Sequence, residues 1–124
     1  MKETLHLLKQ PVHPTLSGRY TSIFCEESAD QEYGAPSYFQ VRDKKTNCVV
    51  GEVYFQEGPV AETGLNGISN EDALIMVLER LEAFQKTDKA CVENVTVMTY
   101  LKHAIAGLKR RSSMEGKSSS VLDK

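Results

Sequence analysis

The chain has 124 residues, of which 40% are hydrophobic and 26% are charged, and its net charge is −2. These values fit one small soluble domain and argue against both an intrinsically disordered chain and a strongly basic duplex-binding protein. The charge is unevenly distributed along the chain. Residues 1–85 carry 7 basic and 13 acidic side chains (net −6), whereas residues 86–124 carry 8 basic and 4 acidic side chains (net +4).

Hydropathy and cysteine spacing indicate the cellular compartment of the protein. No apolar run approaches the roughly 20 residues of a membrane-spanning helix, and the N-terminus has no secretory hydrophobic segment. We therefore expect a cytoplasmic protein without membrane contact. Cys25, Cys48 and Cys91 are widely spaced and form no CxxC pattern. This spacing predicts reduced thiols rather than a zinc or redox site.

In chain order, residues 1–19 predict a weakly structured arm. The next elements are three segments rich in aromatic and β-branched residues, which predict strands at residues 20–25, 38–42 and 48–56. The polar stretch 43–47 has the length of a hairpin connection, and Gly51 in the third strand predicts a β-bulge. Residues 20–60 are thus expected to form an antiparallel sheet.

Two helices are predicted after the sheet. The first begins after Ser69, because Ser69 and Asp72 have the spacing of a capping box. Its apolar residues recur with 3-4-3 spacing, typical of one helix stripe, at Leu74, Val77, Leu81 and Phe84. The second helix covers residues 91–111, and its stripe has the same spacing, at Met98, Leu101, Ile105 and Leu108. Matching stripes predict an antiparallel hairpin over residues 61–112, followed by a disordered tail at 113–124.

The elements together predict an α+β fold, one compact domain in which an antiparallel sheet of about three strands precedes an antiparallel two-helix hairpin. Gly58, Gly64 and Gly67 lack the spacing of a phosphate-binding loop and are interpreted as turn residues. A chain this short buries only about two-thirds of its unfolded surface, so we expect it to associate with further copies of itself.

The sequence contains no arrangement typical of catalysis or metal binding. His6 and His13 lie in the predicted arm, and His103 falls on the polar side of the second helix. None of them has an evident partner for acid–base chemistry. We therefore expect a protein that is not an enzyme and that uses no metal and no cofactor.

Two features favour ligand binding instead. Phe84 ends the first helix and Asn94 lies in the first turn of the second, so one end of the hairpin would offer a stacking ring and a base-edge amide. The basic run Lys109, Arg110 and Arg111 would neutralise phosphates. Simpler interpretations stay open: Phe84 as a core residue, Asn94 as a helix-start residue, and the basic run as a solvated helix end that complements the dipole.

The position of the basic run constrains any shared ligand. Asn94 and Arg111 are 17 residues apart on one predicted helix, a separation of roughly 25 Å at about 1.5 Å per residue. One small ligand cannot contact both in a single chain. If both bind one ligand, two hairpins must pack antiparallel, and a two-fold dimer would then have two such sites.

Several motifs resemble those of a known family. They are Phe-Gln-x-Gly-Pro at 55–59, Asn-Gly at 66–67, Asn-Glu at 70–71 and Arg-Leu-Glu-x-Phe-Gln at 80–85. Residues 90–94 are similar to the start of that family's second helix, and the resemblance covers about residues 38–116. On these motifs the chain resembles the anti-Thoeris and anti-CBASS proteins of phages, which share a helical-hairpin domain and sequester immune cyclic nucleotides.

The preceding sheet resembles the anti-Thoeris branch most. The resemblance implies a homodimer, or a hexamer of three dimers, in the host cytoplasm. It implies a cyclic nucleotide signal as partner, namely glycocyclic ADP-ribose or a cyclic di- or trinucleotide, and neither a membrane nor a nucleic acid polymer. Carried over by residue, Phe84 would stack on adenine, Asn94 would hydrogen-bond the ligand, and Arg111, with Arg110 and Lys109 beside it, would contact phosphates.

Three positions depart from the family pattern. Val92 and Glu115 stand where the family has arginines, and Gly107 replaces a larger residue. A carboxylate repels ligand phosphates unless a neighbouring cation compensates, so Glu115 predicts a ligand preference different from that of the family.

Three functions follow, in order of preference. The first is a non-catalytic sponge that sequesters an immune cyclic nucleotide. The second is a protein-interaction or dimerisation module without a small-molecule ligand. The third, an enzyme that degrades the signal, is disfavoured because the sequence offers no acid–base pair.

Overall fold

The computed structural model of the chain describes Leu8 and residues 10–27 and 31–122, with side chains as far as Ser112. The strands are β1 (Thr21–Cys25), β2 (Tyr38–Asp43) and β3 (Val49–Tyr54), and the helices are α1 (Val60–Thr63), α2 (Asn70–Phe84) and α3 (Val92–Leu122). The predicted α+β fold, with an antiparallel sheet before the helices, is confirmed. None of the helices in this described part is long and apolar enough to cross a membrane.

The chain divides into two compact units, Met1–Gly67 and Ile68–Lys124. The first unit includes α1 and the loop after it, which are hydrogen-bonded to the residues that follow β3. The Gln56 side chain donates to the Gly64 carbonyl oxygen (2.8 Å) and accepts from the amide of Asn66 (3.0 Å). Between the turn residues Gly58 and Gly67 the chain thus forms the short helix α1, and the motif residues Gln56 and Asn66 are hydrogen-bonded across this segment.

The sheet has the order β1-β2-β3, and both strand pairs are antiparallel. Val41 pairs with Gly51 but Arg42 pairs with Val49, so Val50 is an extra residue on β3. This irregularity lies directly beside Gly51, where the sequence predicts a bulge. A bulge bends the strand locally and leaves one of its residues unpaired in the ladder with β2.

The described part of the N-terminal arm is more ordered than predicted. Pro11 forms an antiparallel bridge with Phe24, and the amide of Val12 donates to the β1 backbone (2.8 Å). Leu8 is buried, and its carbonyl oxygen accepts from Nη2 of Arg42 (3.1 Å), whose guanidinium lies 4.0 Å from the Phe24 ring centroid. The arm therefore covers the outer edge of β1 through contacts with residues distant in the sequence.

Tyr38 is the most deeply buried side chain of the N-terminal unit among the described residues. Its hydroxyl donates to Oε2 of Glu52 (2.5 Å) and accepts from Nε2 of Gln40 (3.0 Å). Burial, reinforced by the hydrogen bond to Glu52, raises the pKa of Tyr38 to about 12. The folded protein therefore keeps this phenol neutral at a pH where an unfolded tyrosine ionises.

This raised pKa predicts a stability loss in alkaline solution. Unfolded Tyr38 releases its proton near pH 10, whereas the folded residue retains it to about pH 12, so the free energy of unfolding falls between these values. Tyr38→Phe lacks the titration. Urea denaturation at pH 9 to 12 should show the stability difference between wild type and Tyr38→Phe shrinking as pH rises, and a constant difference would contradict the linkage.

The second unit is an antiparallel helical hairpin. Its first helix begins with the predicted capping box, in which Ser69 Oγ accepts from the amide of Asp72 (3.0 Å) and the Asp72 carboxylate accepts from the amide of Ser69 (2.9 Å). Three contacts in reversed chain order establish the antiparallel pairing: Gln85 with Asn94, Glu82 with Lys102, and Glu71 with Ser112.

The helix faces differ in how well the sequence predicts them. The α3 stripe is confirmed, because all four of its predicted residues are half-buried. In α2 the half-buried apolar stripe consists of Leu74, Leu78 and Leu81, while Val77 and Phe84 are 46% and 39% exposed. Two neighbouring stripes of α2 are apolar with similar spacing, so periodicity alone selects the wrong members.

Beyond the end predicted at residue 111, α3 continues to Leu122. The sequence between these positions contains no proline that would interrupt helical hydrogen bonding. The disorder predicted for residues 113–124 concerns a segment whose side chains lie outside the described residues, and it stays a prediction.

Candidate functional site

One end of the hairpin has an exposed aromatic ring and a side-chain amide that is fixed by a hydrogen bond. Phe84 is the last residue of α2, and Asn94 lies in the first turn of α3. The Phe84 ring is 39% exposed, and Asn94 is half-buried with its Nδ2 donating to Oε1 of Gln85 (3.0 Å). The structure thus places the two residues at the same end, and Phe84 is not a buried core residue. Their contact with a ligand stays a prediction.

Gln85 connects the two helices at this end. Its Oε1 accepts from the amide of Cys91 (3.0 Å), and its Nε2 donates to the carbonyl oxygen of the same residue (3.1 Å). Cys91 precedes α3 and has no side-chain oxygen to cap the helix, and Gln85 satisfies the Cys91 backbone amide at this helix start. From the sequence Gln85 is only a motif residue, although the missing cap before Val92 was a signal for such a partner.

Arg80 also belongs to this end. Its guanidinium lies 5.3 Å from the Phe84 ring centroid, within the range of a cation–π contact. One turn of α2 separates the two residues, which is the spacing at which helical side chains meet. Arg80 therefore brings a positive charge next to the exposed ring. This combination suits a nucleotide, which has both a base that stacks and phosphates that attract a cation. Periodicity does not single it out, because it lies on the polar side of the predicted stripe.

The basic run lies at the opposite end of the hairpin. Lys109, Arg110 and Arg111 are exposed on α3, and the hydroxyl of the next residue, Ser112, donates to the Glu71 carboxylate at the start of α2 (3.3 Å). Asn94 and Arg111 lie on one continuous helix, which keeps them roughly 25 Å apart. Within one chain the structure therefore does not bring the basic run to Phe84 and Asn94.

The positions that depart from the family pattern have different surroundings. Val92 is 76% exposed at the start of α3. At Gly107 an added Cβ would meet only Nη2 of Arg110, at 3.7 Å, which is an ordinary contact. Alanine would thus fit at this position, so packing against the described residues does not require the glycine. The side chain of Glu115 lies outside the described residues.

Among the described residues, the remaining reactive side chains form no evident catalytic or metal-binding centre. Among the residues that the structure describes, no group of three or more His, Cys, Asp and Glu could hold a metal ion. His13 and His103 are exposed, and His6 lies outside the described residues. Burial, with a smaller contribution from Glu26, raises the pKa of the Cys25 thiol, which disfavours its reactive thiolate form.

Comparison with known proteins identifies one relative of similar length. Thoeris anti-defense 1 from Bacillus phage SBSphiJ7 is 31% identical over an alignment of 129 positions, gaps included, which covers 86% of this chain and 91% of the phage protein. That share is larger than either compact unit, so the similarity extends over both the sheet and the hairpin. No protein-family model matches the chain.

Proposed function

The chain belongs to the Thoeris anti-defense 1 family of phage proteins, and from this premise we propose that it is a non-catalytic sponge for an immune cyclic nucleotide. The proposed ligand is glycocyclic ADP-ribose, with cyclic di- and trinucleotides as further candidates. The protein would act in the host cytoplasm and would release its ligand intact. The observation that carries the proposal is the end of the hairpin, where Arg80 lies beside the exposed Phe84 ring and Asn94 is hydrogen-bonded to the adjacent Gln85.

The chemistry of this end suits an adenine nucleotide. An exposed aromatic ring offers a stacking surface that is worth about 1–3 kcal/mol per base. The Asn94 amide, fixed by Gln85, offers hydrogen bonds to a base edge. The Arg80 guanidinium supplies a charge beside the ring. A ring, a fixed amide and a cation thus provide three kinds of contact that a cyclic adenine nucleotide can make.

The phosphate contacts of the proposed site come from a second chain. Arg111 is too distant to reach the same ligand from its own chain, so we propose that two hairpins pack antiparallel in a homodimer, which is either the final assembly or the unit of a hexamer. The exposed apolar side chains on both helices support such packing, since Met76, Val95 and Tyr100 are 54%, 51% and 70% exposed.

A sponge needs affinity and abundance, and it needs no chemical step. When binding sites exceed the dissociation constant by about 100-fold, the free ligand falls to about 1% of its total by mass action. Removal of the activator at equilibrium would silence an immune effector without any change to the signal molecule. The proposal therefore requires neither a general acid nor a general base.

Calorimetry with purified protein tests the proposal. Wild type should bind a glycocyclic ADP-ribose isomer, and the intact ligand should be recovered after heat denaturation. Phe84→Ala and Arg111→Ala should each weaken binding by about 10- to 100-fold, because each removes a stacking or charge-assisted contact. Light scattering should show that both variants keep the wild-type mass.

Lys102→Ala is the matched control. Lys102 is an exposed cation on α3 whose partner is Glu82 (3.9 Å), so its loss should leave nucleotide binding within about twofold. No heat with any of the isomers or cyclic dinucleotides would refute the sponge. A cleaved product after incubation would instead identify an enzyme.

A protein-interaction module is the second candidate. It is favoured by β3, an edge strand on which Val49, Val50 and Tyr54 are exposed. An exposed edge strand can pair with a strand of another chain. This function predicts that Phe84→Ala leaves partner binding unchanged in pull-downs and that no nucleotide has any effect.

A further inference from the structure

The orientation of the Asn94 amide follows from two backbone groups. The Cys91 amide can only donate and its carbonyl oxygen can only accept. Gln85 bonds to both, with Oε1 facing the Cys91 amide and Nε2 facing the Cys91 carbonyl oxygen. A flipped Gln85 amide would set donor against donor and acceptor against acceptor. The backbone of one residue thus fixes which end of the Gln85 side chain is the oxygen.

The same logic extends one side chain further. Asn94 contacts Oε1 of Gln85, which can only accept a hydrogen bond. Asn94 must therefore direct Nδ2 toward Gln85, and Nδ2 donates to this oxygen at 3.0 Å. Its Oδ1 then points away from Gln85, and no described residue donates to it. One Nδ2 hydrogen is used by Gln85, which leaves Oδ1 and the second Nδ2 hydrogen for a ligand.

We infer that Gln85 is a positioning residue that sets the hydrogen-bond polarity of the site, so that the site prefers a base with an exocyclic amine over one with a carbonyl oxygen at the same place. This inference rests on the sponge function proposed above. An amide that offers one acceptor and one donor matches adenine, whose 6-amino group donates while an adjacent ring nitrogen accepts.

A 6-oxo purine places oxygen where adenine has its amine. Oδ1 of Asn94 would then face another acceptor, and the mismatch cannot be relieved by rotating the Asn94 amide while Gln85 holds it. Replacing a matched donor by an acceptor leaves both partners without a hydrogen bond in a partly desolvated site, and such mismatches commonly cost tenfold or more in affinity. Gln85 therefore determines base selectivity without touching the base.

The experiment compares two ligands on three proteins. The ligands are an adenine-containing glycocyclic ADP-ribose and its hypoxanthine counterpart, in which oxygen replaces the 6-amino group. The proteins are wild type, Gln85→Glu and Gln85→Leu, and the readout is the ratio of the two dissociation constants by calorimetry. Wild type should prefer the adenine ligand by at least about tenfold.

The two variants separate positioning from a general structural role. Gln85→Glu keeps an oxygen that accepts from the Cys91 amide and from Asn94, but its second oxygen must turn away from the Cys91 carbonyl oxygen, because both are acceptors. This variant should therefore bind both ligands more weakly than wild type while still preferring the adenine ligand. Gln85→Leu removes the acceptor and frees the Asn94 amide to rotate, so its ratio should fall to within about threefold of unity. If Gln85→Leu does not fold by circular dichroism, the wild-type and Gln85→Glu ratios decide the question.

The possible outcomes test the role of Gln85 separately from the proposed sponge function. Binding of both ligands to wild type with equal affinity would overturn the inference and leave the sponge intact. An unchanged ratio in a folded Gln85→Leu protein, or a lost ratio in Gln85→Glu, would also overturn it. Absence of binding by either ligand to wild type would refute the sponge, and the inference with it.

Discussion

Gly67→Ala is expected to destabilise the N-terminal unit by about 3 kcal/mol or more, because a Cβ at this position has no space. It would lie 2.5 Å from the carbonyl oxygen of Phe55 and 2.7 Å from the amide nitrogen of Gln56, and still nearer the Phe55 carbonyl carbon. All three are backbone atoms, so the clash cannot be relieved by a side-chain rotation. Such a loss is a large share of the 5–15 kcal/mol that is typical of small proteins.

Gly51→Ala is the matched control for this prediction. Nothing lies within 4 Å of an added Cβ at Gly51, in strand β3. The substitution should therefore leave the midpoint of urea denaturation near the wild-type value, or raise it slightly by restricting the unfolded chain. Equal midpoints for wild type and Gly67→Ala would show that the turn opens without cost, contrary to the geometry described.

Glu26→Ala is expected to cost about 2–4 kcal/mol, the second largest effect, because it leaves buried donors unsatisfied. Glu26 follows β1 and is 2% exposed. Its Oε1 accepts from the amides of Ser37 (2.9 Å) and Tyr38 (3.3 Å), and so joins the end of β1 to the start of β2. Without it, two backbone amides lose their acceptor in the interior of the unit.

Two further variants define the cause of this loss. Glu26→Gln keeps an oxygen acceptor of similar shape, so it should cost clearly less, about 1 kcal/mol. Glu27→Ala removes the neighbouring exposed carboxylate and should change stability by no more than about 0.5 kcal/mol. Urea denaturation followed by circular dichroism measures all three. A loss for Glu26→Gln as large as for Glu26→Ala would assign the effect to charge rather than to an acceptor.

The candidate site shows where sequence patterns succeed and where they do not. Phe84 and Asn94 can be placed at one end of the hairpin because a short connection between two helices brings their adjoining ends together. Gln85 could not be assigned its role, because its function depends on which backbone groups its two amide atoms face. The separation of Arg111 from this end follows from helix geometry alone.

The sequence by itself determines the features that depend on near neighbours in the chain. The capping box at Ser69 and Asp72, the three strands and the bulge beside Gly51 all arise from local hydrogen bonding, β-propensity and backbone freedom. These are interactions between residues a few positions apart, so they can be read from spacing and residue type.

Only the tertiary structure decides the features that depend on distant partners. The arm is attached because Arg42 reaches the carbonyl oxygen of Leu8 across 34 positions. The buried stripe of α2 excludes Val77 because the direction from which α3 approaches, and not the period, selects one of two apolar faces. Packing between segments remote in the chain is a property of the folded backbone, and no local pattern of residues encodes it uniquely.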